Sequence, residues 1–479
     1  MPTGGTVGGA NREWRRQLGQ EDRSNQEDGL PAGTPVGAPG KEYHVTREAS
    51  SVRALAASAG ERRLRVLHVY RTYFPDTQGG LEETIRQLCV GSTAAGAECR
   101  VFTLSPAPAE SPLEYAEAEV HQAKRHLEVA SCGIGLTALR RFNELVRWAD
   151  VVNYHFPWPF MDLMHCLSPM RRPAVVTYHS DVVRQRRLGR LYAPLRDRFL
   201  DDVDVIAATS PNYVASSPIL RRYRHKTITI PIGLNRSSYP TPTASTLARV
   251  ESRYGRDFFL FIGVLRYYKG LEVLLEAVRG TDLRVLIVGT GPIEAELQRR
   301  AEAWKLANVA FAGYVDDETK VAMLRLCRAV VLPSHERSEA FSIALLEGAM
   351  MDKPLISCEI RTGTSYVNAN GVTGFVVEPR NAAALQTAMH VLRHDDARAH
   401  AMGAAARKRF ERMFTGQHMA RRYLAVYREL LRRRDARATA AGAAPTSKTA
   451  PPTVLGGRGR AADQETDAIT ADTRRGSAR

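Results

Sequence analysis

Two series of short apolar runs, separated by segments of helical periodicity, limit what this chain can fold into more than any other feature. The first series is LRVLHVY (64–70), 99–104, DVVNY (150–154), AVVTY (174–178) and DVIAA (204–208). The second is FFLFIGVL (258–265), LRVLIVG (283–289), VAFAG (309–313), AVVLP (329–333) and PLISC (354–358). A strand that is apolar at nearly every residue is buried on both faces. Such strands alternating with helices build a parallel sheet covered by helices on both sides. The chain therefore reads as α/β, with two doubly wound halves joined through the Pro- and Ser-containing stretch 231–246. Ligands of such sheets bind outside the carboxyl ends of the strands, which places a site in the cleft between the halves.

The ends of the chain differ in character from this middle. Residues 1–61 and 436–479 are rich in Gly, Ala, Ser, Arg and acids without sustained periodicity, and are expected to be disordered. The amino-terminal half is assigned to 62–235 and the carboxyl-terminal half to 236–435, closed by arginine-rich amphipathic helices over 398–434. No window approaches the roughly 18 apolar residues needed to cross a bilayer, and the polar, Gly-rich start lacks the apolar core of a secretory signal. A cytoplasmic location is the default expectation. The six cysteines form no CxxC pair, so buried reduced thiols are expected in place of zinc or a redox dithiol.

The formal net charge of +16 calls for a partner rich in negative charge: nucleic acid, an anionic membrane leaflet or phosphate-bearing substrates. No recognised module interleaves its basic residues with aromatics, so a nucleic-acid partner is not expected. A dinucleotide-dependent oxidoreductase is excluded too, because PDTQGGLEET does not supply GxGxxG after the first strand. The segment VVRQRRLGRLYAPLRDRFL (182–200) is basic with interspersed Leu, Tyr and Phe. It suits either an anionic leaflet or a plain solvated helix face. Asp202-Val203-Asp204 spells DxD, but its place between a helix and a strand argues against metal binding.

The densest chemistry lies in SEAFSIALLEGAMMDKPLIS, where Glu339 and Glu347 bracket the start of a helix that ends before Pro354. With Glu339 at the helix entrance, Glu347 lies about two turns deeper. Two carboxylates so spaced can each grip a pair of vicinal hydroxyls. The free N–H groups around Phe341 and Ser342 would then face an anion between them. Taken by spacing alone, the pair reads first as an acidic cap and a surface glutamate.

The surrounding sequence resembles a known family. PSHERSEAFSIALLEGAMMDKPLIS is similar to the donor-binding segment of the retaining GT-B glycosyltransferases, the group 1 or family 4 set. GVLRYYKGLEVLLEA (263–277), GTGPIEAELQ (289–298) and PDTQGGLEETIRQL (75–88) match in the expected order, and the resemblance spans about residues 64 to 425. It implies a GT-B fold of two Rossmann-like domains and a hexosyltransferase. The acceptor belongs to the amino-terminal half, and a nucleotide-diphosphate sugar to the carboxyl-terminal half. Lys269 and Arg266 are implied for the diphosphate; Arg266 stands in for the arginine the family carries where this chain has Val264. Gly80 lies in the loop under the diphosphate, and His179 contacts the transferred sugar. Glu339, Phe341, Ser342 and Glu347 complete the donor site, with His179 and Glu339 in the catalytic roles. His155 and Asp181 are assigned to the acceptor, and the aromatic loop after His155 suits either ligand stacking or core packing.

The same resemblance implies retention of anomeric configuration with neither metal nor other cofactor. GVLRYYKG and EIRTGTSYVNANGVTGFVV (359–377) look most like bacterial mannosyl- or rhamnosyltransferases of surface-polysaccharide and lipopolysaccharide O-antigen assembly. That favours a GDP-linked donor such as GDP-mannose and a lipid-linked or saccharide acceptor. With a lipid-linked acceptor, the basic segment 182–200 makes an anionic membrane surface a further candidate partner, reached from the inner face of the cell membrane. The alternatives are a nucleotide-sugar epimerase of the same fold and, less favoured, a basic nucleic-acid-binding protein.

Overall fold

The computed structural model describes residues 62–129, 132–182 and 186–442. Residues 1–61 and 443–479, both within the segments expected to be disordered, lie outside the described residues. The compact body ends at Arg434.

The first series of runs forms β1 (Arg65–Val69), β2 (Glu98–Ser105), β7 (Val151–Phe156), β8 (Ala174–Tyr178) and β9 (Val205–Ala208). Further strands join them: β3 (Leu113–Glu114), β4 (Glu119–Lys124) and β10 (Thr227–Thr229), with β5 (Leu127–Val129) and β6 (Cys132–Ile134) forming a separate hairpin. The sheet runs β10-β9-β8-β7-β1-β2-β4-β3, and only β3 is antiparallel to its neighbour. The second series forms β11 (Phe259–Ile262), β12 (Val285–Val288), β13 (Val309–Gly313), β14 (Ala329–Leu332) and β15 (Leu355–Cys358), joined by β16 (Gly374–Val377). Its order is β13-β12-β11-β14-β15-β16, parallel throughout. The inner strands β7, β8, β12, β14 and β15 are buried at every residue, because helices cover both faces.

The strand order reverses at β1, which lies between β2 and β7, and at β11, which lies between β12 and β14. Helices leave to opposite faces at these points, and a crevice opens at each sheet's carboxyl edge. The site is built there.

Helices α1 (Gly80–Ala94), α2 (Pro159–Leu167) and α3 (Arg186–Asp202) belong to the first half; α4 (Asp317–Leu326) and α5 (Ile343–Met350) belong to the second. The last helix, α6 (Gly416–Gly442), returns to the first sheet. Its Tyr423 hydroxyl meets Thr177 Oγ1 at 2.9 Å, and its Tyr427 hydroxyl accepts from Asn153 Nδ2 at 3.0 Å. The return crosses the inter-half linker closely: a Cβ on Gly233 would lie 2.2 Å from the Thr415 carbonyl oxygen. Only glycine permits that crossing. Gln87 on α1 holds the linker through Asn235, whose N–H donates to Gln87 Oε1 at 2.6 Å.

Candidate active site

The loop after β11 is drawn against the loop after β14 by a glycine. Gly270 has φ +69°, and a Cβ there would lie 2.2 Å from the Pro333 carbonyl oxygen. This approach carries Lys269, at the end of the turn Tyr267–Lys269, onto Glu339. Lys269 Nζ and Glu339 Oε2 form an ion pair, and Ser334 Oγ donates to the same oxygen at 3.2 Å. Burial works against the Lys269 charge, but Glu339 outweighs it and the pKa is raised. Arg266 is exposed beside the pair, and its side chain makes no hydrogen bond or ion pair among the described residues.

Beyond Glu339 the chain enters α5. Ser342 caps it, its Oγ accepting from the Leu345 N–H at 3.4 Å. The N–H groups of Phe341, Ser342, Ile343 and Ala344 find no acceptor among the described residues, which leaves an open anion site at a helix start. Glu339 stands in the loop ahead of the cap, not in the first turn. Glu347 lies within α5 and is buried; its Oε1 accepts from Tyr239 Oη at 3.2 Å and from Lys320 Nζ at 2.8 Å. Lys320, on α4, escaped the sequence reading because no motif surrounds it. Despite burial, its pKa is raised by Glu347 and Asp317. In each glutamate one oxygen is taken by a lysine and a hydroxyl, while the other has no hydrogen bond among the described residues.

Gly80 opens α1 from the opposite half, with Gly79 as its cap. A Cβ on Gly80 would stand 3.5 Å from Ile343 Cγ1, so the starts of α1 and α5 face each other closely. Thr72 and Thr77 hydroxyls donate to Glu82 Oε1 at 2.8 and 2.9 Å and fix the glycine loop beneath them.

His179 follows β8 at the carboxyl edge of the first sheet and is 6% exposed. Burial pushes its pKa down to about 3, so the ring is neutral. His155 does not line the cleft. Its ring is fully buried, with Nδ1 3.0 Å from His179 Nε2 and Nε2 3.1 Å from His68 Nδ1. Both nitrogens are committed, so the expected contact between His155 and an acceptor is corrected to a place behind His179. The aromatic loop resolves to core: Phe156 and Trp158 are buried, and Trp158 Nε1 donates to the Gly133 carbonyl at 3.0 Å.

Asp181 bridges the halves. Its Oδ1 accepts from Tyr178 Oη and Ser217 Oγ at 2.7 Å each, and its Oδ2 from Arg337 Nη2 of the second half at 3.3 Å. Arg337 also stacks over Tyr213, with 4.9 Å from its guanidinium to the ring centre. Of the DxD residues, Asp202 accepts from His165 Nε2 at 2.7 Å and Asp204 from the Ala174 N–H at 2.8 Å, so both anchor local structure.

Residues 246–409 match the family model for glycosyl transferases group 1, and residues 78–237 match glycosyltransferase family 4. Over 352 residues, 74% of this chain and 92% of the relative, the sequence is 52% identical to D-rhamnosyltransferase WbpZ of Pseudomonas aeruginosa. The chain belongs to the group 1, family 4 glycosyltransferases. This glycosyltransferase is also 48% identical over 368 residues to O-antigen chain mannosyltransferase C of Escherichia coli, covering 77% of this chain and 99% of that one. It is a hexosyltransferase, as the resemblance implied. Its fold is GT-B: it superposes on sucrose-phosphate synthase from Thermosynechococcus elongatus with a TM-score of 0.64 at 21% identity, over 77% of this chain and 99% of that chain. The two family matches divide the glycosyltransferase's site between them: Gly80 and His179 fall in the family 4 match, and Arg266 to Glu347 in the group 1 match. No helix of the described residues is long and apolar enough to cross a membrane.

Proposed function

We propose that this glycosyltransferase moves mannose or a rhamnose from a GDP-linked donor to a lipid-linked or saccharide acceptor, with retention, in surface-polysaccharide O-antigen assembly. One observation carries the reading. Two buried glutamates, each neutralised at one oxygen by a lysine, flank four unpaired amides at the start of α5. The diphosphate fits the amides, Glu339 the sugar and Glu347 the ribose, each through its unengaged oxygen. The D-rhamnosyl and O-antigen mannosyl activities of the two relatives support the sugar and the pathway.

In this reading the acceptor hydroxyl attacks the anomeric carbon from the face the diphosphate leaves. The new C–O bond forms as the sugar–phosphate bond breaks, and the hydroxyl proton passes to the departing phosphate oxygen. Lys269, Arg266 and the amides of Phe341 and Ser342 oppose the charge that grows on that oxygen. The reading uses these cations in place of a divalent metal or other cofactor.

A membrane-surface acceptor is supported by apolar side chains that meet water in the first half. Leu136 and Leu191 are 80% and 81% exposed, Leu127, Val129 and Leu167 are more than half exposed, and Arg190 and Arg198 lie exposed on α3. The occupant we assign is an anionic leaflet.

The test is turnover of GDP-mannose, GDP-rhamnose and UDP-glucose with a polyprenyl-diphosphate saccharide, with the anomeric configuration of the product read by NMR and with chelator added in parallel. The reading expects a GDP-sugar to be used with retention and chelator to have no effect. Inversion, dependence on a divalent ion, or conversion of the donor without acceptor would each overturn the corresponding part.

A further inference from the structure

Two histidines at the amino edge of the second sheet take no part in the proposed reaction. His390 and His394 stand four residues apart at the end of the helix Ala382–His394. That spacing puts both imidazoles on one helix face. The rings lie side by side and nearly parallel, at 9°, with their centroids 5.8 Å apart. Asp282, in the loop ahead of β12, completes the group. One nitrogen of each ring and one carboxylate oxygen lie within 4.8 Å of one another. Neither ring nor the carboxylate makes a hydrogen bond or an ion pair among the described residues.

We propose that Asp282, His390 and His394 bind one divalent transition-metal ion, to which we assign zinc, at a site separate from the sugar-transfer centre.

The backbone on both sides of the site is held by bonds that spare these three side chains. Buried Asn308 donates its Nδ2 to the carbonyls of Val278, Thr281 and Leu283 at 2.9, 3.3 and 2.8 Å. Thr281 Oγ1 accepts from the Leu283 N–H at 3.2 Å, so the chain is fixed before and after Asp282. Gln386, one turn ahead of His390, donates to the Ala277 carbonyl at 2.9 Å and pins the helix to the same segment. Tetrahedral ligation at about 2.0–2.1 Å sets neighbouring ligand atoms roughly 3.4 Å apart. Side-chain rotation closes that difference on a fixed frame.

The donor set selects the ion. Magnesium and calcium take oxygen ligands, and copper(I) takes soft thiolates. Two imidazoles and one carboxylate suit zinc, with the fourth position left to water beside exposed His394. The carboxyl end of a helix favours a cation, whereas the charge of neighbouring Arg393 opposes it. Lys269 and Glu339 stand at the opposite, carboxyl edge of the same sheet. The four residues of β12 alone span about 13 Å between the edges. The ion therefore clips the helix to the entrance of β12 and stays clear of the breaking bond.

The test is calorimetric titration of the metal-free full chain with Zn²⁺, joined to thermal unfolding and to Co²⁺ absorption. Wild type is expected to bind one ion here, with Tm rising as zinc rises. His394→Ala and Asp282→Asn should each weaken binding by about tenfold or more and lose that rise, with unchanged metal-free urea midpoints. Wild-type zinc affinity in both variants overturns the proposal. A Co²⁺ spectrum made only of thiolate charge transfer overturns it too, since it puts the ion on buried His68, Cys89 and Cys99. Sugar transfer is expected to be the same with and without the ion. A kcat/KM that tracks occupancy of this site overturns its separation from the reaction, whereas failure with every GDP-sugar sinks only the proposed donor.

Discussion

Lys269 reaches from the turn after β11 to the Glu339 carboxylate in the loop after β14, and one ion pair ties together the two loops at the switch point of the second sheet. The pair is dry, with side-chain exposures of 12% and 7%. Removing one partner strands a buried charge, which typically costs about 3–5 kcal/mol. Lys269→Ala is therefore expected to lower the urea midpoint markedly, and Lys269→Met with Glu339→Leu to regain most of it. Both variants should lose transfer by about tenfold or more, because in the proposed reading the pair also faces the diphosphate and the sugar. Unchanged midpoint and unchanged kcat/KM in Lys269→Ala would show that the pair is ornamental.

Glu347 is held differently, by Lys320 and Tyr239 on one oxygen. The ribose lies away from the breaking bond, so this grip is the same in the ground state and the transition state. Glu347→Gln should raise the donor KM by about tenfold while kcat stays near wild type. A loss confined to kcat would move Glu347 to the reacting centre. Lys320→Met should follow Glu347→Gln in sign, since it frees the carboxylate to turn.

The sequence displays the strands of the sheet interiors because burial on both faces demands unbroken apolar text. Strands with one wet side escape that rule. EVHQAK of β4 lies next to the edge strand β3, with Lys124 exposed, and its alternation is too short and too polar to stand out. GFVV of β16 begins at Gly374, with φ +151° and with the Leu355 carbonyl 1.8 Å from where a Cβ would sit, and it looks like a loop in text. The site divides in the same way. Glu339, Phe341, Ser342 and Glu347 lie in one continuous segment running from the loop into α5 and are legible together. Arg337 meets Asp181 from 156 residues away, and His68 meets His155 from 87. Nothing local marks either, because their partners are set by strand order. Neither the aromatic text after His155 nor the YHSD around Asp181 announces these contacts, through which Asp181 joins the halves and His155 holds its neighbours.

Gly80 sits where the starts of α1 and α5 face each other from the two halves. A methyl there would make an ordinary contact with Ile343 Cγ1, at 3.5 Å, so Gly80→Ala should fold with nearly unchanged melting temperature. A branched side chain has only the gap between α1 and α5 to enter, which is the space assigned to the diphosphate. Gly80→Val is expected to weaken binding of GDP about as much as binding of the GDP-sugar, by calorimetry, in a folded protein. Wild-type affinity for both would place the diphosphate elsewhere.

His179 gives the fold an acid-side weakness whose sign can be worked out. Its native pKa lies at about 3 because burial penalises the charged ring, whereas an unfolded histidine titrates near about 6.5. Between those values the unfolded chain binds a proton that the native ring refuses, so stability rises with pH there. The contribution is complete above about 6.5 and is lost as pH falls towards 3, at a slope of about 1.4 kcal/mol per pH unit for one ring. His155, depressed in the same direction, adds to the slope. Urea unfolding of wild type and His179→Asn from pH 6.5 down to pH 4.5 measures the difference. The variant should lose stability less steeply by close to one proton, whatever its stability at neutral pH. Parallel slopes would mean that the native ring takes up its proton as readily as the unfolded one, and hence that it sits in water and not at the end of a buried line.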